Sequence, residues 1–176
     1  MAKIPIVTVV GYSNAGKTRC VVKLLSALTR RGYRIATAKH CHRGFDLDVK
    51  GKDTWKHKRA GAVTTLMSGR NQIGLVTDVA VPLSLGQMCE QYIHSADLLL
   101  AEGYSWEPFP KILVASRETL RQERITSLKP ILAVVADFQL DDSLPHFSFA
   151  QLDSLASLVE ERFLLAGQVG EELQRA

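Results

Sequence analysis

The sequence predicts an α/β fold, a mostly parallel sheet covered by helices on both faces, and three observations predict it. Residues 4–10 form a continuously apolar, β-branched run, the pattern of a parallel strand buried on both sides. Similar runs alternate along the chain with stretches of helical periodicity, the order that builds a sheet covered by helices. A glycine-containing turn joins the first strand directly to the first helix. The chain has 176 residues, 46% of them hydrophobic, which suits one domain spanning residues 1–176.

Taken in order, the strand at 4–10 leads into a helix at 17–31, where Val21, Val22, Leu24, Leu25 and Leu28 recur at helical spacing. Gly32 stands where a left-handed helix cap is expected. Residues 33–38 form the next strand, completing a unit that should be parallel and right-handed. Residues 39–52 are polar and read as an ordered functional loop. A short helix follows at 53–59, then strands at 63–68 and 73–77, a helix at 83–93, and strands at 97–101, 111–115 and 131–136. The last element is a helix at 149–165, with Leu152, Leu155, Leu158, Val159 and Phe163 near a 3.6 period and a polar tail beyond.

Composition excludes several classes. Twelve glycines and 6 prolines rule against a collagen or low-complexity chain, and 3 unevenly spaced cysteines rule against a disulfide scaffold. No apolar run approaches the roughly 20 residues that span a bilayer. The N-terminus runs straight into a strand without a signal-peptide pattern, so a cytoplasmic protein with no membrane partner is expected. The net charge of +4 conceals a division: residues 1–70 carry 15 Lys and Arg against 3 acids, and the remainder is acidic. Such a basic half suits polyanions or the phosphates of a small ligand. No recognition motif with interleaved aromatics accompanies it, so nucleic acid is not the expected partner.

The residues from Gly11 to Thr18, GYSNAGKT, match G-x-x-x-x-G-K-[ST] between the first strand and the first helix. Glycines permit a backbone that turns successive N–H groups inward, and the helix N-terminus adds partial positive charge, so the loop holds phosphates. Gly11, Ser13, Asn14, Ala15, Gly16, Lys17, Thr18 and the following Arg19 are the candidate nucleotide contacts. Lys17 reaches the β and γ phosphates and the Thr18 hydroxyl ligates Mg²⁺. Of the two acids in DLLLAEG, Glu102 closes its strand at the phosphate end, while Asp97 opens it roughly 16 Å away. Lys17 and Glu102 are therefore the candidate catalytic pair. The polar loop offers Asp46, Asp48 and Asp53 as further ligands, with an N-cap role as the alternative for Asp53. His40, Cys41 and His42 are nearly contiguous, so contact with an anion or substrate is favoured over zinc, which usually takes two separated pairs.

Together, GYSNAGKT, TAKHCH, the D-x-D-x-x-G-K-D run (Asp46, Asp48, Gly51, Lys52, Asp53), AGA, LLLAEGY and PKILV resemble the molybdopterin-guanine dinucleotide biosynthesis adaptor family, MobB, from about Val7 to Val114. The resemblance implies a P-loop NTPase fold, GTP binding with slow hydrolysis, and assistance to the molybdopterin guanylyltransferase or other molybdenum cofactor enzymes. It implies Thr18, Asp53 and Glu102 as the Mg²⁺ shell, and matches Lys39, His40 and His42 to the family's KH-x-H segment. The chain departs from the family at Arg43, where many members have a second His, and at Tyr104-Ser105-Trp106, where a Lys often follows the aromatic residue. No N-K-x-D follows a late strand, but Asp137 stands after ILAVVA at a comparable place, either as a guanine reader or as a turn acid. An ATP-dependent ligase or kinase resembling dethiobiotin synthetase is the alternative, and the glycine-rich run it should carry after the EG pair is not present. A homodimer is possible on this reading.

Overall fold

The structure, a computed structural model, describes residues 4–46, 48–117, 128–140 and 143–165; the polar tail expected beyond the last helix lies outside them. Cys41–Ser84 forms one compact unit, and the segments on either side of it form the other.

The larger unit is built on β1 (Ile6–Val10), β2 (Ile35–Lys39), β5 (Leu98–Glu102), β6 (Lys111–Val114), β7 (Ile131–Val135) and β8 (His146–Phe147). They form one sheet in the order β2-β5-β1-β6-β7-β8, parallel at every pairing. β1 is buried at all five positions, as a continuous apolar run in the middle of a covered sheet requires. Its alternate residues serve the two faces. Val7 and Val9 join Leu98, Leu100, Ile112 and Val114 under α1 (Lys17–Arg30) and α4 (Leu152–Glu160), while Ile6 joins Leu99 and Ala101 under α3 (Leu85–Tyr92). The expected α/β architecture, with helices on both faces, is thus the observed one.

α1 buries Cys20, Val21, Leu24, Ala27 and Leu28, a single stripe along the helix. Its end follows from glycine: Gly32 has φ 94°, and it and Tyr33 donate to the Thr29 and Leu28 carbonyls at 3.0 and 3.2 Å, satisfying the last turn. Burial pushes the Cys20 thiol up to about 12.

The last helix is shorter than its periodicity predicts. α4 begins only at Leu152 and passes into a π-helical turn at Glu161–Leu165, because Phe149 is drawn out of the helix to pack against the loop after β1. The two-residue β8 has no counterpart in the sequence reading. Two residues leave no period to detect.

The smaller unit contains α2 (Asp53–Arg59), β3 (Thr64–Ser68) and β4 (Ile73–Thr77). β3 and β4, expected as strands of the one α/β sheet, instead pair antiparallel with each other. The four residues between them close with a bond from Gly69 N–H to Gln72 C=O at 2.8 Å, and so short a connection cannot carry a parallel crossover. Within the unit, Lys58 Nζ donates to the Ala62 and Val63 carbonyls and pairs with Asp78 at 2.6 Å.

Lys111 opens β6 with a side chain only 1% exposed. Its ammonium donates to the carbonyls of Glu107, Phe109 and Lys129 at 2.5, 3.0 and 3.2 Å, and burial holds its pKa below the ordinary lysine range. Lys111→Met strands three buried carbonyls and should lower stability by about 2 to 3 kcal/mol in urea unfolding.

Asp97 precedes β5 at the far end of the sheet, accepting from the Arg34 backbone N–H and guanidinium at 2.7 Å each. These hydrogen bonds hold its carboxyl below the usual range, so its contribution is present above about pH 4 and is lost as pH falls through the folded value. Asp97→Asn should flatten that acid limb of the stability profile, as read by thermal melts across pH, while leaving the opposite rim of the sheet undisturbed.

Candidate functional site

The C-terminal ends of parallel strands form one rim, and the strand pairings decide which residues meet there. Register sets Val9 of β1 beside Glu102 of β5, and Glu102 beside Lys39 of β2. The turn from β1 into α1 passes over the same rim. Gly11 has φ 147°, and a Cβ built on it would stand 2.2 Å from the Val114 carbonyl oxygen, so only glycine lets the loop press onto β6. Gly16, at φ 99°, is constrained as well, since its Cβ would lie 2.7 Å from the Phe149 ring. Asn14 takes the left-handed region at φ 62°, Ala15 is buried, and Ser13, Asn14 and Arg19 are exposed. The Arg19 guanidinium lies 4.6 Å from the Phe149 ring centroid.

Three charged or polar side chains converge over this turn. The Thr18 hydroxyl lies 2.9 Å from both carboxylate oxygens of Glu102, and Lys39 Nζ lies 3.2 Å from Glu102 Oε1. Glu102 is 12% exposed, so its charge is held by these two partners. Lys17 Nζ donates to the Tyr12 carbonyl at 2.6 Å, within its own loop. Burial pulls the Lys17 ammonium below the ordinary lysine range; Glu102 opposes that and Lys39 adds to it. An incoming phosphate supplies the negative charge that such an ammonium lacks.

The donors suit Mg²⁺. A threonine hydroxyl and one carboxylate are hard oxygen ligands, and Mg²⁺ characteristically takes one or two carboxylates together with substrate phosphates and water. Among the described residues no group of three or more His, Cys, Asp or Glu is gathered in one place. Asp53 belongs to the smaller unit: it is the first residue of α2, with Lys52 at the cap position, and its largely exposed carboxylate lies 3.4 Å from Lys56 Nζ. His42, exposed, is also in that unit. Asp137 is exposed just past β7, two strands from β1 and so about 10 Å along the rim.

His40 follows β2, donates its backbone N–H to the Glu102 carbonyl at 3.0 Å, and makes ring contacts with Tyr104 and Trp106 at 5.5 and 4.7 Å between centroids. Sequence reasoning did not anticipate this aromatic group, or Phe149 beneath Gly16. Both are contacts between residues far apart in the chain, and the only local hint was an aromatic residue following the EG pair.

Residues 6–137 match the family described as molybdopterin guanine dinucleotide synthesis protein B, MobB. The chain belongs to the MobB family. A Haemophilus influenzae relative named molybdopterin-guanine dinucleotide biosynthesis adapter protein is 31% identical over 163 residues, covering 90% of this chain and 89% of its own. An Escherichia coli protein of the same name is 30% identical over 162 residues, covering 90% and 93%. The crystal structure of Bacillus subtilis MobB superposes with a TM-score of 0.69 at 26% identity, covering 88% of this chain and 97% of that one. The MobB homologue from Bacillus stearothermophilus gives 0.67 at 28% identity, covering 90% and 97%. The MobB neighbours bear out the α/β fold read from the sequence.

Because Gly11 has no room for a Cβ against the β6 backbone, Gly11→Ala should displace the whole turn. Nucleotide affinity should fall by tenfold or more, measured by calorimetry on protein whose circular dichroism is native.

Proposed function

We propose that this MobB-family chain is a GTP-binding adaptor in the synthesis of molybdopterin guanine dinucleotide. The observation that carries the reading is the meeting of Thr18, Glu102 and Lys39 over a glycine turn that opens α1, with Lys17 one residue away. The turn from Gly11 to Gly16 cradles the triphosphate with backbone N–H groups, and Lys17 exchanges its Tyr12 carbonyl for phosphate oxygen. Thr18 and Glu102 would hold Mg²⁺, which when bound neutralises part of the triphosphate charge. Lys39 orients the Glu102 carboxylate, and Asp137 reads the guanine edge from the end of β7.

In this reading residues 1–176 work as one nucleotide-binding domain, and the partner is the guanylyltransferase or another molybdenum cofactor enzyme. The smaller unit supports a homodimer: Val63, Leu66, Met67 and Ile73 on or beside its hairpin are each more than half exposed, and a lone two-stranded sheet is marginal by itself. The free thiols Cys20, Cys41 and Cys89 suit a reducing cytoplasm, and among the described residues no helix is long and apolar enough to cross a membrane.

Lys17→Ala should leave the fold intact and weaken GTP binding by tenfold or more, at least about 1.4 kcal/mol by calorimetry. Glu102→Gln should remove the Mg²⁺ dependence of binding, and Asp53→Asn tests the third ligand that the family resemblance adds. GTP should outcompete ATP, with Asp137→Asn narrowing the difference; equal competition in the native protein would favour the ATP-dependent ligase reading. The native protein should also accelerate guanylyl transfer by its partner enzyme.

A further inference from the structure

The turn after Glu102 is held more firmly than a connection between two strands needs. Gly103, at φ 93°, brings its backbone so close to His40 that an added Cβ would lie 3.3 Å from the His40 Cβ. Tyr104 takes φ 56°, an uncommon conformation for an aromatic residue, and its side chain is buried with Leu85, Cys89 and Leu99. Glu107 closes the turn with its N–H on the Tyr104 carbonyl at 3.1 Å. The Glu107 carboxylate accepts the Leu85 N–H at the start of α3, and its carbonyl accepts the buried Lys111 ammonium. Between these anchors stands Trp106, 59% exposed, with ring contacts to His40 at 4.7 Å and to Tyr104 at 5.7 Å. A large ring left in water on a pinned turn is a preorganised surface for another π system.

Strand order says which ring it serves. β5 and β2 lie on one side of β1, and β6 and β7 on the other. A nucleotide that runs from the phosphate turn towards Asp137 crosses the β6 side, so its base is directed away from Trp106, which follows β5. The aromatic group instead lies on the side of Lys39, whose side chain is more than half exposed at the end of β2.

We infer that Trp106, supported by the rings of His40 and Tyr104, is a stacking platform for a second planar ligand, a pterin that carries a phosphate, bound on the opposite side of the phosphate turn from the guanine. The inference rests on the adaptor reading, in which a pterin phosphate and a guanine nucleotide are the two halves to be joined. Lys39 supplies the cation for the ligand's anionic group, and the ring supplies stacking of the strength that aromatic side chains give to nucleobases.

The test titrates a pterin bearing a phosphate monoester on its 6-side chain into Trp55→Phe protein, in which Trp106 is the one tryptophan, with saturating GTP present. Saturable quenching of Trp106 fluorescence is expected, matched by calorimetry. Trp106→Ala should weaken pterin binding about tenfold and Trp106→Phe should largely restore it, with GTP affinity unchanged in both. No saturable binding, unchanged affinity in folded Trp106→Ala protein, or displacement of the pterin by GTP would overturn the platform. GTP affinity is measured separately on the native chain. If GTP fails to bind while the pterin still quenches Trp106, the nucleotide reading falls and the platform stands.

Discussion

The register between β1 and β5 is the constraint on which the glycine-turn end of this molecule depends. It sets Glu102 beside Val9, two residues before the glycine turn, and so carries a carboxylate to within 2.9 Å of the Thr18 hydroxyl at the first turn of α1. The same ladder continues through β5 to β2 and delivers Lys39 to the other side of that carboxylate. A slip of one residue would turn Glu102 to the opposite face of the sheet and exchange the side chains fitted beneath α1 with those fitted beneath α3. The burial of Leu98, Leu99 and Leu100, each fully enclosed, makes such a slip costly. The position of the Glu102 carboxylate is thus maintained by the hydrophobic packing of its whole strand.

Electrostatics at the rim follow from the same placement. Glu102 is nearly enclosed, whereas Lys39 keeps more than half its side chain in water. An ion pair of this kind contributes little to stability, because solvent screens the exposed partner. Its effect is local: it fixes the orientation of the carboxylate and keeps a second cation near Lys17, whose own ammonium is depressed by burial and by Lys39. Two cations and one carboxylate in a small volume leave a net positive charge at this rim.

The smaller unit shows how the same chain uses different physics. Its hairpin depends on a four-residue connection and antiparallel pairing, with no helix to cover it among its own elements beyond the short α2. The larger unit depends on crossovers that bury both faces of a parallel sheet. The alternation of strand-like and helix-like segments does not distinguish these cases. The length of the connection does, since a parallel pair needs a dozen or more residues between its strands.

What the sequence determined by itself were features encoded within a few residues of one another. Gly11 to Thr18 specify the glycine turn between β1 and α1, the stripe from Cys20 to Leu28 specifies α1, Gly32 ends it, and Glu102 is marked by closing an apolar run. Each follows from backbone freedom or a short hydrophobic period, which are local properties. Tertiary structure alone decided that Lys39 pairs with Glu102, that Phe149 leaves the last helix to lie against Gly16, that Lys111 is surrounded by three carbonyls, and that His40 meets Trp106. Apart from those of Lys111, which reach 2 to 18 residues along the chain, these contacts join segments tens of residues apart, and nothing in either segment names the other. Strand order and register bring them together, and both are set by the packing of the entire sheet.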